Sequence, residues 1–263
     1  MSKMRQDALF DPLAASDASI VSLAHDYAAG HRIPMHFHDL DQLVCAARGV
    51  MTVRSAEGAW VVPTHRAVWI PKGTPHTISM SGTVAMRTLY FKPRLAASLP
   101  RQCCVVNVPA LLRELILHAC GVGPLGRKVG WQRHLVDVIL DQLHRIQIAP
   151  LQLPALKDPR ALRVADALLA DPADRRPLAE ICRTSGASRR TIERLYLVET
   201  GMSFGKWRQQ LRLMEAMRLL AEGSKVTHAA LEAGYSTSSA FIAAFRKVLG
   251  ATPGQYFIEV PKS

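Results

Sequence analysis

Two hydrophobic periodicities divide the chain. Across residues 20–92, apolar positions fall in short runs separated by Gly, Pro and Asp: SIVSLAH, DQLVCAA, GVMTVRS, AWVVP, AVWIPKG, HTISMSG and VAMRTLYFKP. Such runs read as strands, and their spacing of roughly ten residues predicts a sandwich or barrel. The pattern then turns helical. Leu111–Cys120 is apolar almost throughout, and Trp131–Ile146 sets Trp131, Leu135, Val138, Ile139, Gln142, Leu143 and Ile146 on one stripe, expected at a dimer interface or, alternatively, in the core of its own domain. Three prolines in APLQLPALKDP, between 150 and 159, mark a linker.

From Asp158 onward every segment is helical. Asp158-Pro159 supplies an N-cap and a first-turn proline for a helix running to about Ala170. Pro177 opens a second over Leu178–Thr184. Ser188 caps a third to about Glu199, and Ser203 caps a long fourth that stops at Gly223. Thr227 caps a fifth, a sixth follows, and Pro253 opens a short seventh.

The stretch ALEAGYSTSSAFIAAFRKVLGATPGQY, Ala230–Tyr256, has the parts of a helix-turn-helix. Ala230 is small enough for close helix approach, and Gly234 permits the positive φ of a tight turn. Phe241 and Phe245 share one helix face and anchor it. The opposite face, with Ser238, Ser239, Ile242 and Ala243, is free to enter a groove. LAEICRTSGASRRTIERLYLVETG repeats the design upstream. In each copy a small residue (Cys182, Ala230) stands four before a glycine (Gly186, Gly234), and an aromatic (Tyr196, Phe245) faces back from the next helix.

Two helix-turn-helix units joined by one long helix resemble the AraC/XylS family of bacterial transcription regulators, across Pro159–Phe257. Cys182 departs from the family's usual alanine but is similarly small. The resemblance implies double-stranded promoter DNA as partner. It matches Arg190, Glu193 and Arg194 of the first unit, and Ser238, Ser239, Ile242 and Ala243 of the second, to base-contacting positions. Arg189 joins the exposed N-terminal residues of the first helix, and Arg246 and Lys247 suit phosphates better than bases. Arginine pairs bidentately with guanine and Glu accepts from cytosine N4, whereas Ser, Ile and Ala offer short contacts. The second helix is therefore expected to discriminate weakly and mostly to position the protein. The rigid Ser203–Glu222 helix would send both units into successive major grooves, roughly 10 base pairs apart.

Charge agrees. The formal net charge is +12, and Arg175–Arg218 holds ten Arg or Lys against four Glu. A solvated basic face is the bland reading of such a run; within a helix-turn-helix pattern, phosphate binding is the better one. No apolar run approaches the ~18 residues of a membrane span. The N-terminal MSKMRQDALFDPLAASDAS lacks a signal-like apolar core and reads as a flexible lead-in. Five cysteines (45, 103, 104, 120, 182) without metal-type spacing suit a reduced, cytoplasmic protein, with Cys103-Cys104 read as buried small residues rather than an oxidant sensor.

In the strand-rich half, Gly30-x5-His36-x-His38-x3-Gln42-x6-Gly49 and Pro71-Lys72-Gly73-Thr74-Pro75-His76 are similar to the two cupin motifs. That resemblance implies a jelly-roll sensor. In metal cupins three His and a Glu converge on one divalent ion; here Gln42 replaces the glutamate, and His65 stands where the second motif begins with glycine. His36 and His38 are expected on one strand face, with His76 on a neighbouring strand. No cofactor is fixed by the sequence. Three readings stay open: a divalent transition metal on His36, His38, His76 and Gln42; a metal-free pocket in which they bind a small-molecule effector; and a vestigial site.

The expected fold class is α+β, a β jelly roll with a helical dimerisation segment followed by an all-α domain with two helix-turn-helix motifs. The expected organisation is a flexible 1–18, a cupin-like sensor over 19–100, a helical dimerisation segment over 101–150, a linker over 151–158 and a DNA-binding domain over 159–263. The expected function is a ligand-responsive, sequence-specific transcription regulator that is not an enzyme. It would act as a homodimer, away from membranes, meeting RNA polymerase if it activates; activation and repression both stay open. The rival class is a metal-dependent cupin enzyme, a dioxygenase or isomerase, fused to a DNA-binding module.

Overall fold

The computed structural model describes residues 18–92, 95 and 99–258, so the expected lead-in over 1–18 lies, but for its last residue, outside the described residues. The chain divides into two compact units. One is drawn from residues up to Ala56 and from Trp60–Pro150, the other from Glu57–Ala59 and Leu151 onward. Strands dominate the first and helices the second. Among the described residues no helix is long and apolar enough to cross a membrane.

The strands of the first unit are β1 (Ile20–Tyr27), β2 (Arg32–His36), β3 (Asp41–Ser55), β4 (Gly58–Val62), β5 (Arg66–Ile70), β6 (His76–Phe91), β7 (Cys104–Asn107) and β8 (Ile148–Ala149). They run β1-β6-β3-β5-β7-β8, with β2 also on β6 and β4 also on β3. The 16-residue β6 organises the sheet. It pairs antiparallel with β3 along one edge, from Asp41↔Phe91 to Ser55↔His76. Along the other it meets β1 (Ile20↔Phe91) and then β2 (His36↔His76).

Two pairs of expected strands are single strands. DQLVCAA and GVMTVRS fuse into β3, HTISMSG and VAMRTLYF into β6. The glycines between them, Gly49 (φ 82°) and Gly82 (φ 69°), shape a bulge in a continuous ladder instead of a turn. A Cβ on Gly49 would lie 2.4 Å from the Thr83 carbonyl oxygen, so the strands close up only because the side chain is absent. The 101–150 segment also differs from expectation. It first gives β7 to the sheet, and only then α1 (Ala110–Val122) and α2 (Gly130–His144).

Both helices pack on the sheet around one core, in which Leu43, Trp69, Leu89 and Phe91 meet Leu112, Ile116, Ile139 and Leu143. This corrects the stripe expected on α2. Its core face is Val136, Ile139, Leu140 and Leu143, while Trp131 and Val138 are 52% and 40% exposed. Ile139 and Leu143 belong to the core, and Leu135 and Ile146 are only partly buried against it. All five cysteines are free, and Cys103 and Cys104 are buried as expected.

In the second unit a short strand β9 (Gln152–Pro154) precedes α3 (Pro159–Ala170), α4 (Leu178–Ile181) with a 3-10 turn over Cys182–Thr184, α5 (Arg189–Thr200), α6 (Phe204–Ala221), α7 (Val226–Glu232), α8 (Ser238–Leu249) and α9 (Pro253–Ile258). The caps of the first helices follow the sequence: Asp158 accepts from Arg160 N, Ser188 from Thr191 N and Ser203 from Lys206 N. One differs. Thr227 lies inside α7, which starts after Lys225 with no side-chain cap; α8, for which no cap was expected, is capped by Thr237.

The proline-rich stretch before α3 is stitched down. Leu151, Leu153 and Leu156 are buried, Trp207 Nε1 donates to the Pro154 carbonyl at 3.1 Å, and Glu199 Oε2 accepts from Lys157 N at 2.7 Å. Tyr196 packs edge-on to Phe204 and Trp207, and Phe241 to Phe245, at the expected helix spacing.

The two helix-turn-helix units touch directly at Pro172–Arg176. Arg212 Nη2 donates to the Asp174 carbonyl at 2.7 Å and its Nε to Pro172 at 3.3 Å. Arg208 donates to the carbonyls of Arg176 and Asp174. Arg175 Nη2 reaches the Tyr235 carbonyl, in the turn of the second unit, at 3.2 Å. Gly234 in that turn has φ 86°, and a Cβ there would stand 2.9 Å from both the Pro172 oxygen and Ala173 Cα. Only glycine meets both demands.

Candidate nucleic-acid interface and histidine centre

Helix α5 buries Ile192, Leu195 and Tyr196 and leaves Arg189, Arg190, Glu193 and Arg194 exposed. Arg189 Nε donates to Glu193 Oε1 at 2.8 Å. Both side chains are wet, so the pair costs little to open when another partner is offered. Helix α8 buries Phe241, Phe245 and Leu249. Ser239, Ala243, Arg246 and Lys247 are exposed, Ser238 and Ile242 half-buried. Ser239, Ile242, Ala243, Arg246 and Lys247 line one open groove. Every residue singled out on the two helices thus lies on a face left uncovered by its own unit, except for the half-sheltered Ser238 and Ile242.

Leu197 and Val198 on α5 were not anticipated. They are 58% and 70% exposed. In the internal repeat they occupy the places of Arg246 and Lys247, and aligning the two copies residue by residue would have exposed the contrast.

In the sheet unit, His36, His38 and His76 come together, all buried. Ring centroids are 4.8 Å apart for His36–His38, 4.3 Å for His36–His76 and 5.5 Å for His38–His76. One ligand atom from each lies within 4.8 Å of the others. The expected cause differs in part. His36 ends β2 and faces His76 across the ladder, but His38 lies beyond the strand, so strand alternation does not aim it.

Backbone carbonyls fix two of the rings. His36 Nδ1 is 2.8 Å from the Pro34 oxygen and His76 Nδ1 is 2.9 Å from the Thr74 oxygen. A carbonyl only accepts, so both Nδ1 atoms carry the proton and both Nε2 atoms present lone pairs. His76 Nε2 is buried without a hydrogen-bond partner. So is Gln42 Oε1, while Gln42 Nε2 donates to the Tyr90 hydroxyl at 3.1 Å. His65 adopts φ 61°, the left-handed conformation that explains why glycine suits this position.

Burial holds the imidazoles neutral. His38 is pushed down to about 3, by burial first and then by His36 and His76. His76 falls to about 4, by burial and His36, against the Thr74 bond. His36 is lowered by burial, against the Pro34 bond. Convergent neutral imidazoles with carbonyl-bound Nδ1–H groups are what a divalent transition ion requires of its ligands. The orphaned His76 Nε2 is an atom that such an ion would satisfy, so the three imidazoles fit one.

A sheet unit with a buried, ligand-competent centre, followed by a helical unit with paired helix-turn-helix motifs, is the build of a one-chain signal-responsive transcription regulator. The AraC-like ligand binding domain model matches residues 20–197, and a helix-turn-helix domain model matches residues 181–258. The HTH-type transcriptional regulator NimR of Escherichia coli K12 is 32% identical over 247 residues, 94% of this chain and 90% of that protein. RipA of Corynebacterium glutamicum, also an HTH-type transcriptional regulator, is 38% identical over 104 residues, 39% of this chain and 31% of that protein. A crystal structure of ToxT from Vibrio cholerae O395 superposes with a TM-score of 0.40 at 12% identity, covering 93% of this chain and 99% of that one. The chain belongs to the AraC-type family of helix-turn-helix transcription regulators, with a cupin-like ligand-binding domain ahead of its DNA-binding domain.

The depressed histidines set a pH dependence for the metal-free sheet unit. Below their ordinary value of 6.5 the unfolded chain binds protons that the folded one refuses. Stability is therefore full above that value and is lost as the pH falls toward about 4 and then about 3. Urea midpoints measured with chelator from pH about 7 to about 4.5 should fall for the wild type and fall less for His38→Gln. Equal falls would show that the cluster is not a source of acid lability.

Proposed function

We propose that this regulator reads its operator mainly through Arg190, Glu193 and Arg194 of α5, with Arg189 beside them. Helix α8 would dock its Ser238, Ser239, Ile242 and Ala243 face in the next major groove and hold phosphates with Arg246 and Lys247. What supports this reading is the chemistry of the two uncovered faces. One offers long charged forks suited to base edges, the other only short side chains flanked by cations.

The histidine centre is proposed as the signal-receiving site, with His36, His38 and His76 as ligands of a divalent transition metal and Gln42 as a weaker fourth. The supporting observation is the pair of carbonyl-fixed imidazoles, with Gln42 linked to the cluster through Tyr90, to which it donates at 3.1 Å and whose ring lies 5.1 Å from that of His38. Bound there, an ion would tie β2, β3 and β6 together. The same lone pairs would accept from an organic effector, which metal analysis separates from the metal reading.

Turnover is not part of this proposal, because the relatives are named transcription regulators. The protein is proposed to work in the cytoplasm as a homodimer. The α2 face bearing Trp131 and Val138 would meet its counterpart, since those two side chains are left exposed by their own core. Paired DNA-binding units would sharpen promoter occupancy by avidity. RNA polymerase becomes a partner if the operator position makes it an activator.

Two experiments test these assignments. Selection from random DNA should show Arg194→Ala weakening operator binding about tenfold or more and relaxing preference in one segment, because a bidentate pair discriminates by ~1–3 kcal/mol. Ser239→Ala should cost much less. A larger loss of specificity in Ser239→Ala would assign the dominant reading helix to the second unit. For the sensor, purified wild type should hold stoichiometric metal and melt higher with it. His36→Ala/His38→Ala should lose both effects, and equal metal content in the two proteins would remove the metal reading.

A further inference from the structure

A cleft of about 470 Å3 opens in the helical unit, apart from either reading face. Arg175 lines it from the loop before α4, Arg208 and Arg212 from α6, and Ser236 and Ala240 from the start of α8. Three guanidinium groups therefore share one cavity. The carboxylate that Arg208 approaches, Asp174 at 4.0 Å, is already engaged, because Arg176 donates to both of its oxygens at 2.7–3.2 Å.

The other bonds of the three arginines run to the carbonyls of Pro172, Asp174, Arg176 and Tyr235. A carbonyl satisfies a donor but leaves its charge standing. Arg208 Nε is buried with no hydrogen-bond partner. Burial holds Arg208 and Arg212 below the ordinary guanidinium range; the neighbouring arginines push the same way, and Asp174 pushes back. The 12-residue α8 begins at this cleft with no acidic residue in its first turn. Its partial positive pole adds to the same field.

We infer that this cleft is an anion site that seats one backbone phosphate of the DNA lying between the segments read by α5 and α8. The inference rests on the reading proposed for those two helices. DNA phosphate is favoured over a free anion by continuity: Ser236 and Ala240 flank the turn of α8 that carries Ser238 and Ser239 toward the groove. Such a contact carries no sequence information. It sets the depth and register of a helix whose own side chains are too short to do so.

Arg175→Gln in the full-length protein is the first test, since Arg175 is exposed and its loss leaves the Arg208 and Arg212 bonds in place. With melting temperature unchanged, the slope of log K against log salt should fall by about 0.9, one phosphate's worth. Affinity should drop by the same factor on operator and on random DNA, with base preference intact, and Arg175→Lys should restore most of the slope. The second test uses wild-type protein on operators carrying a neutral methylphosphonate at each position between the two read segments. One position should reproduce the loss, and there Arg175→Gln should cost nothing more. An unchanged salt slope in a folded Arg175→Gln protein overturns the site, as does indifference to every methylphosphonate. Inorganic phosphate binding to DNA-free wild type but not to Arg175→Gln, with equal salt slopes, would assign the cleft to a free anion and overturn the DNA source. If Arg194→Ala kept full specificity while the methylphosphonate effect stood, the reading of α5 would fail and the cleft would survive.

Discussion

The Pro172–Arg176 loop is the point on which the DNA-binding half depends. Its carbonyls are gripped by Arg208 and Arg212 from the long α6, and its outer surface meets the turn at Gly234. Two helix-turn-helix units joined by a helix alone would keep the bending freedom of that helix. Direct contact between loop and turn removes most of it. The bonds are charge-assisted and partly buried, so breaking one leaves a poorly solvated guanidinium or an orphaned carbonyl. Asp174, also buried, turns Arg176 away and keeps the loop's carbonyls facing α6. If α5 reads strongly and α8 weakly, as proposed, rigidity of this kind would deliver the weak helix to a fixed place.

The unequal charge of the two helices follows the same logic. Helix α5 presents Arg190 and Arg194 and then turns apolar at Leu197 and Val198; helix α8 presents small residues and then turns basic at Arg246 and Lys247. On the reading proposed for these helices, base reading and backbone holding would be separated along the protein. The sheet half uses a comparable economy. One long strand, β6, receives β2 and β3 on opposite edges, and the β2 ladder sets His36 directly across from His76.

Legibility in the sequence tracked the range of the interactions. Helices α3 to α9, most of their caps and the aromatic anchors depend on residues three or four apart, and these were readable. The cap expected at Thr227 failed because α7 begins two residues earlier, after Lys225, and has no side-chain cap. Strand segments were visible, but not their fusion into β3 and β6, because a glycine with positive φ looks the same whether it closes a turn or shapes a bulge. The α2 stripe misled because Trp131 and Val138 are as apolar as Val136 and Leu140, and only packing decides which pair is covered. The histidines were identified by spacing, yet His38 arrives through the backbone beyond β2. The arginine grip on Pro172–Arg176 joins residues more than thirty positions apart through carbonyls, which have no signature in sequence.

The grip on Pro172–Arg176 implies that helices α5 and α8 move as one body. The most direct measurement is the affinity of the full-length protein for operators with base pairs inserted one at a time between the two read segments. A single insertion rotates the segments by about 36° and separates them further, since B-DNA has ~10 base pairs per turn. A locked pair should lose at the first insertion its whole preference for the second segment, read as the ratio to an operator with that segment scrambled, and should not recover it when a whole turn has been added. A preference for the second segment that stayed level through the series, or returned at a full turn, would show that the two units bind independently.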